Sequence, residues 1–138
     1  MASLIAFANF SPSIAESPFP ATKPETVVVE RIITIPELIR EKSARVGVDG
    51  NLATAIAFCE STNQQFSDEE AGVVMRGKEN PLDVGLFQIN EKFHLEKSQK
   101  LGYDIYTLEG NIDYALWLLK NEGSYHWKWS QGCWQKKM

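Results

Sequence analysis

The sequence has no apolar run approaching the ~18 residues of an ordinary membrane-spanning helix, so no integral membrane span is predicted. It also lacks a cluster of basic side chains: 14 Lys and Arg are outnumbered by 18 Asp and Glu, and the net charge is −4. Nucleic acids normally require a clustered basic face, so we expect no nucleic-acid partner. The only two histidines, His94 and His126, lack the spacing of zinc ligands, and neither a metal nor a cofactor is predicted.

Cysteine is scarce as well, since Cys59 and Cys133 are the only two. In an oxidising compartment they could form a disulfide, which would stabilise the fold by roughly 4 kcal/mol because it closes a long loop. In a reducing compartment they would be two buried thiols. The count alone leaves both open, and we favour the bridge because the motifs below indicate a location outside the cytoplasm.

Proline is concentrated near the N-terminus, where four of the six prolines lie between Ser11 and Glu25. This composition is typical of an extended linker, so residues 1–33 are predicted to be a flexible N-terminal segment. The apolar run Leu4 to Phe7, with small residues at Ser13 and Ala15, resembles a remnant export signal, although no Lys or Arg precedes it. A plain disordered tail is the alternative. Val27 to Ile33 is β-prone and could form a short strand or dock a partner.

Residues 34–138 are predicted to form one mostly α-helical domain with a glycine-punctuated middle. Thr34 and Glu37 have the spacing of a capping box, and Asp49 can cap a second helix. Apolar residues recur at helical spacing after Asn111. The loop-rich segment runs from Asn63 to about Ile89. The predicted helices run from Thr34 to about Gly47, from Asp49 through Cys59, from Phe93 to Leu101 and from Asn111 to Lys120.

Glu60 is a carboxylate on the apolar face of the second predicted helix. Ala53, Ile56 and Ala57 share its face, whereas Thr54 and Ser61 fall on the polar side. An ionised carboxylate is costly among apolar neighbours, so the pKa of Glu60 should be raised. A raised carboxylic acid can protonate a glycosidic oxygen near neutral pH. The alternative is a Glu60 that is exposed or salt-bridged at the helix end.

Three short motifs follow one another along the chain. Glu60-Ser61 ends the second helix, Gly85-Leu86-Phe87-Gln88-Ile89-Asn90 follows the loops, and Asn111-Ile112 opens an apolar helix. Over Thr34 to Trp134 this ordered set resembles the lysozyme-like superfamily, in particular the catalytic domain of soluble lytic transglycosylases. The resemblance implies a single domain with the mostly α-helical fold of goose-type lysozymes and lytic transglycosylases, and a loop-rich sugar-binding cleft.

The resemblance also implies an activity. Glu60 would act as acid and base on the glycan strands of bacterial peptidoglycan, giving 1,6-anhydro-muramyl ends without a cofactor. Such an enzyme would work outside the cytoplasm, in the periplasm, in the cell wall or as a secreted protein, and we expect a monomer. Tyr125 stands where the family often has an Ala-Tyr-Asn segment. The residues that the resemblance assigns to substrate binding are Ser61, Gln88, Asn90, Asn111 and Tyr125.

Asp83 leaves the reaction type open. It lies two residues before Gly85, as the second carboxylate does in the Asp-Tyr-Gly segment of animal-type lysozymes. If Asp83 faced Glu60 at about 5–5.5 Å, a retaining hydrolase would be favoured. If Asp83 were a local cap of the glycine turn, Glu60 would act alone. The motif set is closer to the transglycosylases, which we favour.

Three tryptophans near the C-terminus, Trp127, Trp129 and Trp134, have two interpretations. In a small helical domain tryptophans usually complete the core, but one of the three could line the cleft and stack on a sugar ring. Two functions without catalysis also remain open. One is a glycan-binding module that has lost activity, and the other is a helical adaptor that docks a partner through Val27 to Ile33.

Overall fold

The computed structural model describes residues 26–27 and 30–138. The predicted export signal and proline-rich linker lie outside the described residues. The chain divides into two units, Met1–Arg31 and Ile32–Met138, and the second contains every helix and strand that the structure describes. In the β-prone segment Val27 to Ile33, the described residues, 27 and 30–33, form no strand.

The first two helices have the predicted caps. Helix α1 spans Ile35–Val46; the Thr34 side chain accepts from the backbone of Glu37, and the Glu37 carboxylate accepts from the backbone of Thr34, which confirms the capping box. Gly47 ends α1 in the left-handed conformation, with φ 75°. Helix α2 spans Gly50–Ser61, and the side chain of Asp49 accepts from the backbone N–H groups at its start.

The remaining helices also follow the sequence pattern, with small shifts at their ends. Helix α3 spans Glu91–Lys100 and therefore begins two residues before the predicted Phe93. Helix α4 spans Leu108–Glu122 and is longer than predicted at both ends; the side chain of Thr107 caps its start, and Gly123 follows its end. A 3-10 helix, Ser124–Ser130, and the short helix α5, Gln131–Trp134, complete the chain. None of the helices in the described part of the chain is long and apolar enough to cross a membrane.

Two small antiparallel hairpins occupy the loop-rich middle. Strand β1, Phe66–Asp68, pairs with β2, Val73–Val74. Strand β3, Asp83–Val84, pairs with β4, Ile89–Asn90, so that Asp83 lies opposite Asn90. The second hairpin therefore connects the loop region to the start of α3.

The core forms where α2 and α4 pack with α1, the second hairpin and the C-terminal segment. Helix α2 can approach its neighbours closely because its buried face carries small side chains such as Ala53 and Ala57. The helix pattern places Ser61 on the polar side of α2, but in the structure Ser61 is buried. The largest fully buried side chains include Tyr114, Phe87, Ile39, Ile56, Leu86 and Leu118.

A disulfide joins the end of α2 to α5. It links Cys59 and Cys133, whose Cα atoms are 6.0 Å apart across a sequence separation of 74 residues. Of the two states that the sequence leaves open, the structure therefore has the bridge. The bond fixes the C-terminal segment beside the residue that follows Cys59, which is Glu60.

Candidate active site

Two open depressions lie side by side on the domain, with volumes of about 510 and 670 Å³. Glu60, Asp83, Gln88 and Trp129 line both, so the depressions form one cleft whose two arms meet beside Glu60. We call the smaller one the aromatic arm; it is lined further by Phe93, His94, Tyr125, His126 and Trp127. We call the larger one the polar arm; it is lined further by Thr62, Gln64, Arg76, Lys78 and Glu79.

Glu60 lies in the last turn of α2 and is half-buried between the arms. Burial raises the pKa of Glu60, and the nearby charge of Asp83 raises it further, whereas a hydrogen bond from Ser130 opposes the shift. No basic side chain of the described residues forms an ion pair with it. The alternative of an exposed or salt-bridged Glu60 is therefore wrong, and the predicted rise of its pKa agrees with its surroundings.

Ser130 is the hydrogen-bond partner of Glu60. Its Oγ donates to Glu60 Oε1 at 2.5 Å, from the end of the 3-10 helix. Two indole N–H groups hold this segment: Trp127 donates to the carbonyl of Phe87, and Trp134 donates to the carbonyl of Trp127. Sequence reasoning missed Ser130 because it lies 70 residues from Glu60 and no local pattern connects the two.

Asp83 lies on β3 and lines both arms with Glu60. Its carboxylate accepts a hydrogen bond from the amide of Asn90, across the hairpin, at 2.7 Å. Asp83 is thus oriented by a side chain on the opposite strand and not by its own turn. After burial, its charge is a smaller cause of the raised pKa of Glu60. The structure therefore brings the two carboxylates to one cleft.

Gln88 and Asn90, which the resemblance assigns to substrate binding, lie in the cleft wall, and their amides are partly engaged. Gln88 adopts φ 49° and donates to the carbonyl of Gly85 at 2.9 Å. Asn90 donates to Asp83, so it is a positioning residue for the second carboxylate. The turn needs glycine at position 85, since a Cβ there would lie 2.5 Å from Gln65 Oε1 and 2.6 Å from Asn111 Nδ2.

Ser61 and Asn111, which the resemblance assigns to substrate binding, are both buried and bonded to the protein. The Ser61 hydroxyl donates to the carbonyl of Leu86 and accepts from the backbone of Gln64. The Asn111 amide accepts from the backbone of Phe87 and donates to the carbonyls of Val84 and Ile105. Both residues hold the second hairpin against the helices.

Gln65 performs the same task and has no counterpart in the sequence motifs. It is buried; its amide oxygen accepts from the backbone of Leu86, and its amide nitrogen donates to the carbonyls of Ile105 and Tyr106. Two amide side chains thus satisfy the backbone of a glycine turn that forms few bonds of its own. These bonds support the hairpin whose residues Asp83 and Gln88 line both arms, and we call this bonded turn the floor of the cleft.

The aromatic side chains divide between core and cleft. Trp127 and Trp134 are buried, as expected of core tryptophans, whereas Trp129 is 90% exposed and lines both arms. Tyr125, which the family resemblance assigns to substrate binding, lies in the aromatic arm with its ring centroid 4.0 Å from that of His126.

Both histidines lie deep in the aromatic arm, with ring centroids 5.0 Å apart. His94 Nδ1 is 2.8 Å from the hydroxyl of Tyr114, and His126 Nε2 is 2.7 Å from a carboxylate oxygen of Glu122. Burial lowers the pKa of His94, and the neighbouring His126 and Lys97 lower it further. Within the described residues, no three His, Cys, Asp or Glu side chains are grouped as metal ligands.

No protein-family model matches this chain, and neither a curated protein nor a solved structure matches it. Relatives therefore supply no residue roles for this cleft. The likeness to lysozyme-like enzymes rests on the sequence motifs, and the chemistry of the cleft has to follow from its own geometry.

That geometry suits acid–base cleavage of a chain molecule. A carboxylic acid with a raised pKa can donate a proton to a leaving oxygen and take up a proton in the next step. Glu60 lies where two open arms meet, so a polymer can cross it with its ends in different arms. Asp83 supplies a second carboxyl group, which lines both arms with Glu60.

Proposed function

We propose that this protein is a peptidoglycan lytic transglycosylase with a lysozyme-like fold. It would cleave the β-1,4 bond between N-acetylmuramic acid and N-acetylglucosamine. The observation that carries the proposal is the position of Glu60: it is half-buried, it forms no ion pair with a basic side chain of the described residues, and it lies at the junction of a two-armed cleft. The ordered motifs around Glu60, Gly85 and Asn111 supply the substrate class.

The reaction requires two proton transfers by one carboxyl group. Protonated Glu60 donates its proton to the glycosidic oxygen while the bond from that oxygen to C1 of the muramyl residue breaks. The positive charge that develops at C1 lies near the ionised carboxylate of Glu60, which stabilises it. Glu60 then removes the proton of the muramyl 6-hydroxyl, whose oxygen bonds to C1. The product is a 1,6-anhydro ring, no water is consumed, and Glu60 is again protonated.

A lysozyme-type hydrolase is the second candidate, and the position of Asp83 favours it. Asp83 lines the same cleft as Glu60, and the amide of Asn90 fixes its orientation. In a retaining hydrolase such a carboxylate attacks C1 or stabilises the charge there, and water releases the sugar. The motif set favours ring closure, and the cleft geometry accommodates either route.

We also propose that the enzyme acts outside the cytoplasm. Peptidoglycan is located there, and the Cys59–Cys133 disulfide beside Glu60 persists in an oxidising compartment. This support for the location is independent of the sequence motifs. The same bond also fixes the wall of the cleft that carries Ser130.

Product analysis tests the function directly. The wild-type protein is incubated with purified peptidoglycan, and the released muropeptides are analysed by mass spectrometry. We expect muropeptides one water lighter than the corresponding reducing species, which identifies 1,6-anhydro ends. Reducing ends would instead identify a hydrolase and make Asp83 a catalytic residue.

Two controls complete the experiment. Glu60→Gln should release nothing, because an amide cannot donate the proton. Glu96→Gln changes an exposed carboxylate on α3 that pairs with Lys100, and it should release products at the wild-type rate. If the folded wild-type protein releases no muropeptide, the catalytic proposal is wrong.

A further inference from the structure

Among the described residues, most of the exposed aromatic side chains lie at the cleft. Trp129, Phe93 and Tyr125 are 90%, 72% and 61% exposed, and all three line the aromatic arm. Phe58, on the outer face of α2, is 41% exposed and lines neither arm. An indole that contacts water on almost its entire surface loses unfavourable hydration when a ligand covers it. The position of Trp129 therefore suggests a ligand with an apolar face.

The backbone around Trp129 is held firmly although its ring is free. Trp127 and Trp134 are buried on either side of it, and the indole of Trp127 is bonded to the carbonyl of Phe87. Ser130, the next residue, is bonded to Glu60, and Cys133 is bonded to Cys59. A ring presented from such a segment loses little freedom on binding, so it suits a preformed binding surface.

The place of Trp129 within the cleft indicates which part of the ligand it meets. It lines both arms, as Glu60 does, and its neighbour Ser130 contacts the Glu60 carboxylate. A ligand that crosses Glu60 must therefore pass the indole. The ammonium of Lys128 lies over the Trp129 ring, 5.1 Å from its centroid, and brings a positive charge to one face of the indole.

We propose that Trp129 is the stacking platform of a sugar subsite next to the scissile bond, with Lys128 beside it to contact an oxygen-bearing substituent of the sugar. This inference rests on the proposed glycan substrate. A β-1,4-linked amino sugar has equatorial substituents, so its ring C–H groups form an apolar face that packs on an indole. Trp129 is a binding residue in this assignment and takes part in no proton transfer.

Binding without turnover tests the platform. Chitotetraose, a β-1,4 oligomer of N-acetylglucosamine, is titrated calorimetrically into the Glu60→Gln protein. Adding Trp129→Ala should weaken its binding by about 10- to 100-fold, the range expected for loss of a buried aromatic anchor. Trp129→Phe keeps an aromatic face and should stay within about 5-fold of the parent protein. Phe58→Ala is the matched control, and its affinity should be unchanged.

Fluorescence gives a second readout. Trp129 is the most exposed of the tryptophans, so acrylamide quenches it preferentially and chitotetraose should protect it. The Trp129→Phe protein should lose this protection. Circular dichroism checks that each variant is folded. We expect the Trp129 variants to fold because the exposed indole contributes little to the core.

Each outcome decides one proposal at a time. If Trp129→Ala binds chitotetraose as the parent does, or if neither binds it, the platform is wrong, while muropeptide release by the wild type would still support catalysis. If binding depends on Trp129 but the wild type releases nothing, the platform stands and the catalytic function fails. If gel filtration shows a dimer that Trp129→Ala dissociates, the indole covers a second copy of the chain and the platform is overturned.

Discussion

The two arms of the cleft differ in most of their lining, although both include Glu60, Asp83, Gln88 and Trp129. The aromatic arm is completed mainly by α3, the 3-10 helix and Leu118 of α4, whose inner faces belong to the core. The polar arm is completed mainly by the end of α2 and the loops that follow it. Packing of large side chains fixes the first arm, whereas backbone hydrogen bonds fix the second, such as those from Met75 to Gln65 and from Gly85 to Met75.

This difference suggests that the two arms contribute differently to the binding of the proposed glycan substrate. Rings in the aromatic arm offer area for stacking, which provides affinity for any sugar with an apolar face. Charged groups in the polar arm, such as Arg76 and Lys78, offer hydrogen bonds and charge, which discriminate between substituents. Arg76 is already bonded to Glu91, so Lys78 is the more available cation. We therefore expect affinity to come mainly from one arm and selectivity from the other.

The largest expected effect comes from removing the acid where the arms meet. Glu60→Gln should lower kcat on peptidoglycan by about 10³-fold or more, because general acid–base catalysis is lost in both steps. The affinity for chitotetraose should change little, since both arms remain. Initial rates of muropeptide release and calorimetry measure the two quantities. A large loss of affinity in Glu60→Gln would mean that the carboxylate itself binds the sugar.

The same variant should be more stable than the wild type at neutral pH. Burial raises the pKa of Glu60 in the folded protein above that in the unfolded chain. Its contribution to stability is therefore present at low pH and is lost as the pH rises through the folded pKa. Urea unfolding at several pH values should show the stability gain of Glu60→Gln only on the alkaline side. An equal gain at all pH values would indicate a cause other than ionisation.

The disulfide is expected to have the next largest effect, and it acts mainly on one arm. Replacing Cys59 and Cys133 together by Ser should lower the free energy of unfolding by about 4 kcal/mol, because a long loop is no longer closed. Hydrogen exchange should increase in 124–134 more than in 66–76, since only the first segment is joined to α2 by the bond. A uniform increase in both segments would contradict the independent construction of the arms.

The sequence predicts the parts of this molecule that depend on near neighbours. Thr34 and Glu37 are three residues apart and define the start of α1, and the face of α2 that carries Glu60 follows from helical spacing alone. Ser130 could not be found, because its contact with Glu60 depends on the path of the whole chain. Motif similarity placed Asn111 near the cleft but could not show whether its amide points outward or into the floor.

The hairpins illustrate a second limit. Strands β2, β3 and β4 have two residues each, too few for an alternating pattern to be visible. The pairing of Asp83 with Asn90, which orients the second carboxylate, is therefore a property of the fold and not of a motif. The same applies to Trp129, which differs from Trp127 and Trp134 only in where the short helical turns direct it.

The floor shared by both arms depends on Asn111. Asn111→Ala should lower the free energy of unfolding by about 3 kcal/mol, because three backbone groups near the glycine turn lose a buried partner. Thermal or urea unfolding measures the loss. Asn121→Ala is the control: its exposed amide bonds one carbonyl of α4, and its removal should cost less than about 0.5 kcal/mol. Equal losses in the two variants would mean that Asn111 does not hold the floor.

The smallest and most discriminating effects concern the pH dependence of kcat. Glu60 must be protonated to act as acid, so kcat should fall as the pH rises through the pKa of Glu60. Ser130 donates to the ionised form and lowers this pKa, whereas the charge of Asp83 raises it. Ser130→Ala should therefore move the alkaline limb to higher pH, and Asp83→Asn should move it to lower pH.

The Ser130→Ala and Asp83→Asn variants are informative together because their alkaline limbs should shift in opposite directions. General damage to the cleft would not produce opposite shifts. Ser130 belongs to the C-terminal segment and Asp83 to the second hairpin, so each variant probes one wall of the cleft at the same carboxylate. The size of kcat at low pH adds a second distinction. If Asp83→Asn retains most of its activity there, Asp83 acts through its charge and Glu60 catalyses alone, as ring closure requires. If activity is lost at every pH, Asp83 acts at C1 and the hydrolase is favoured.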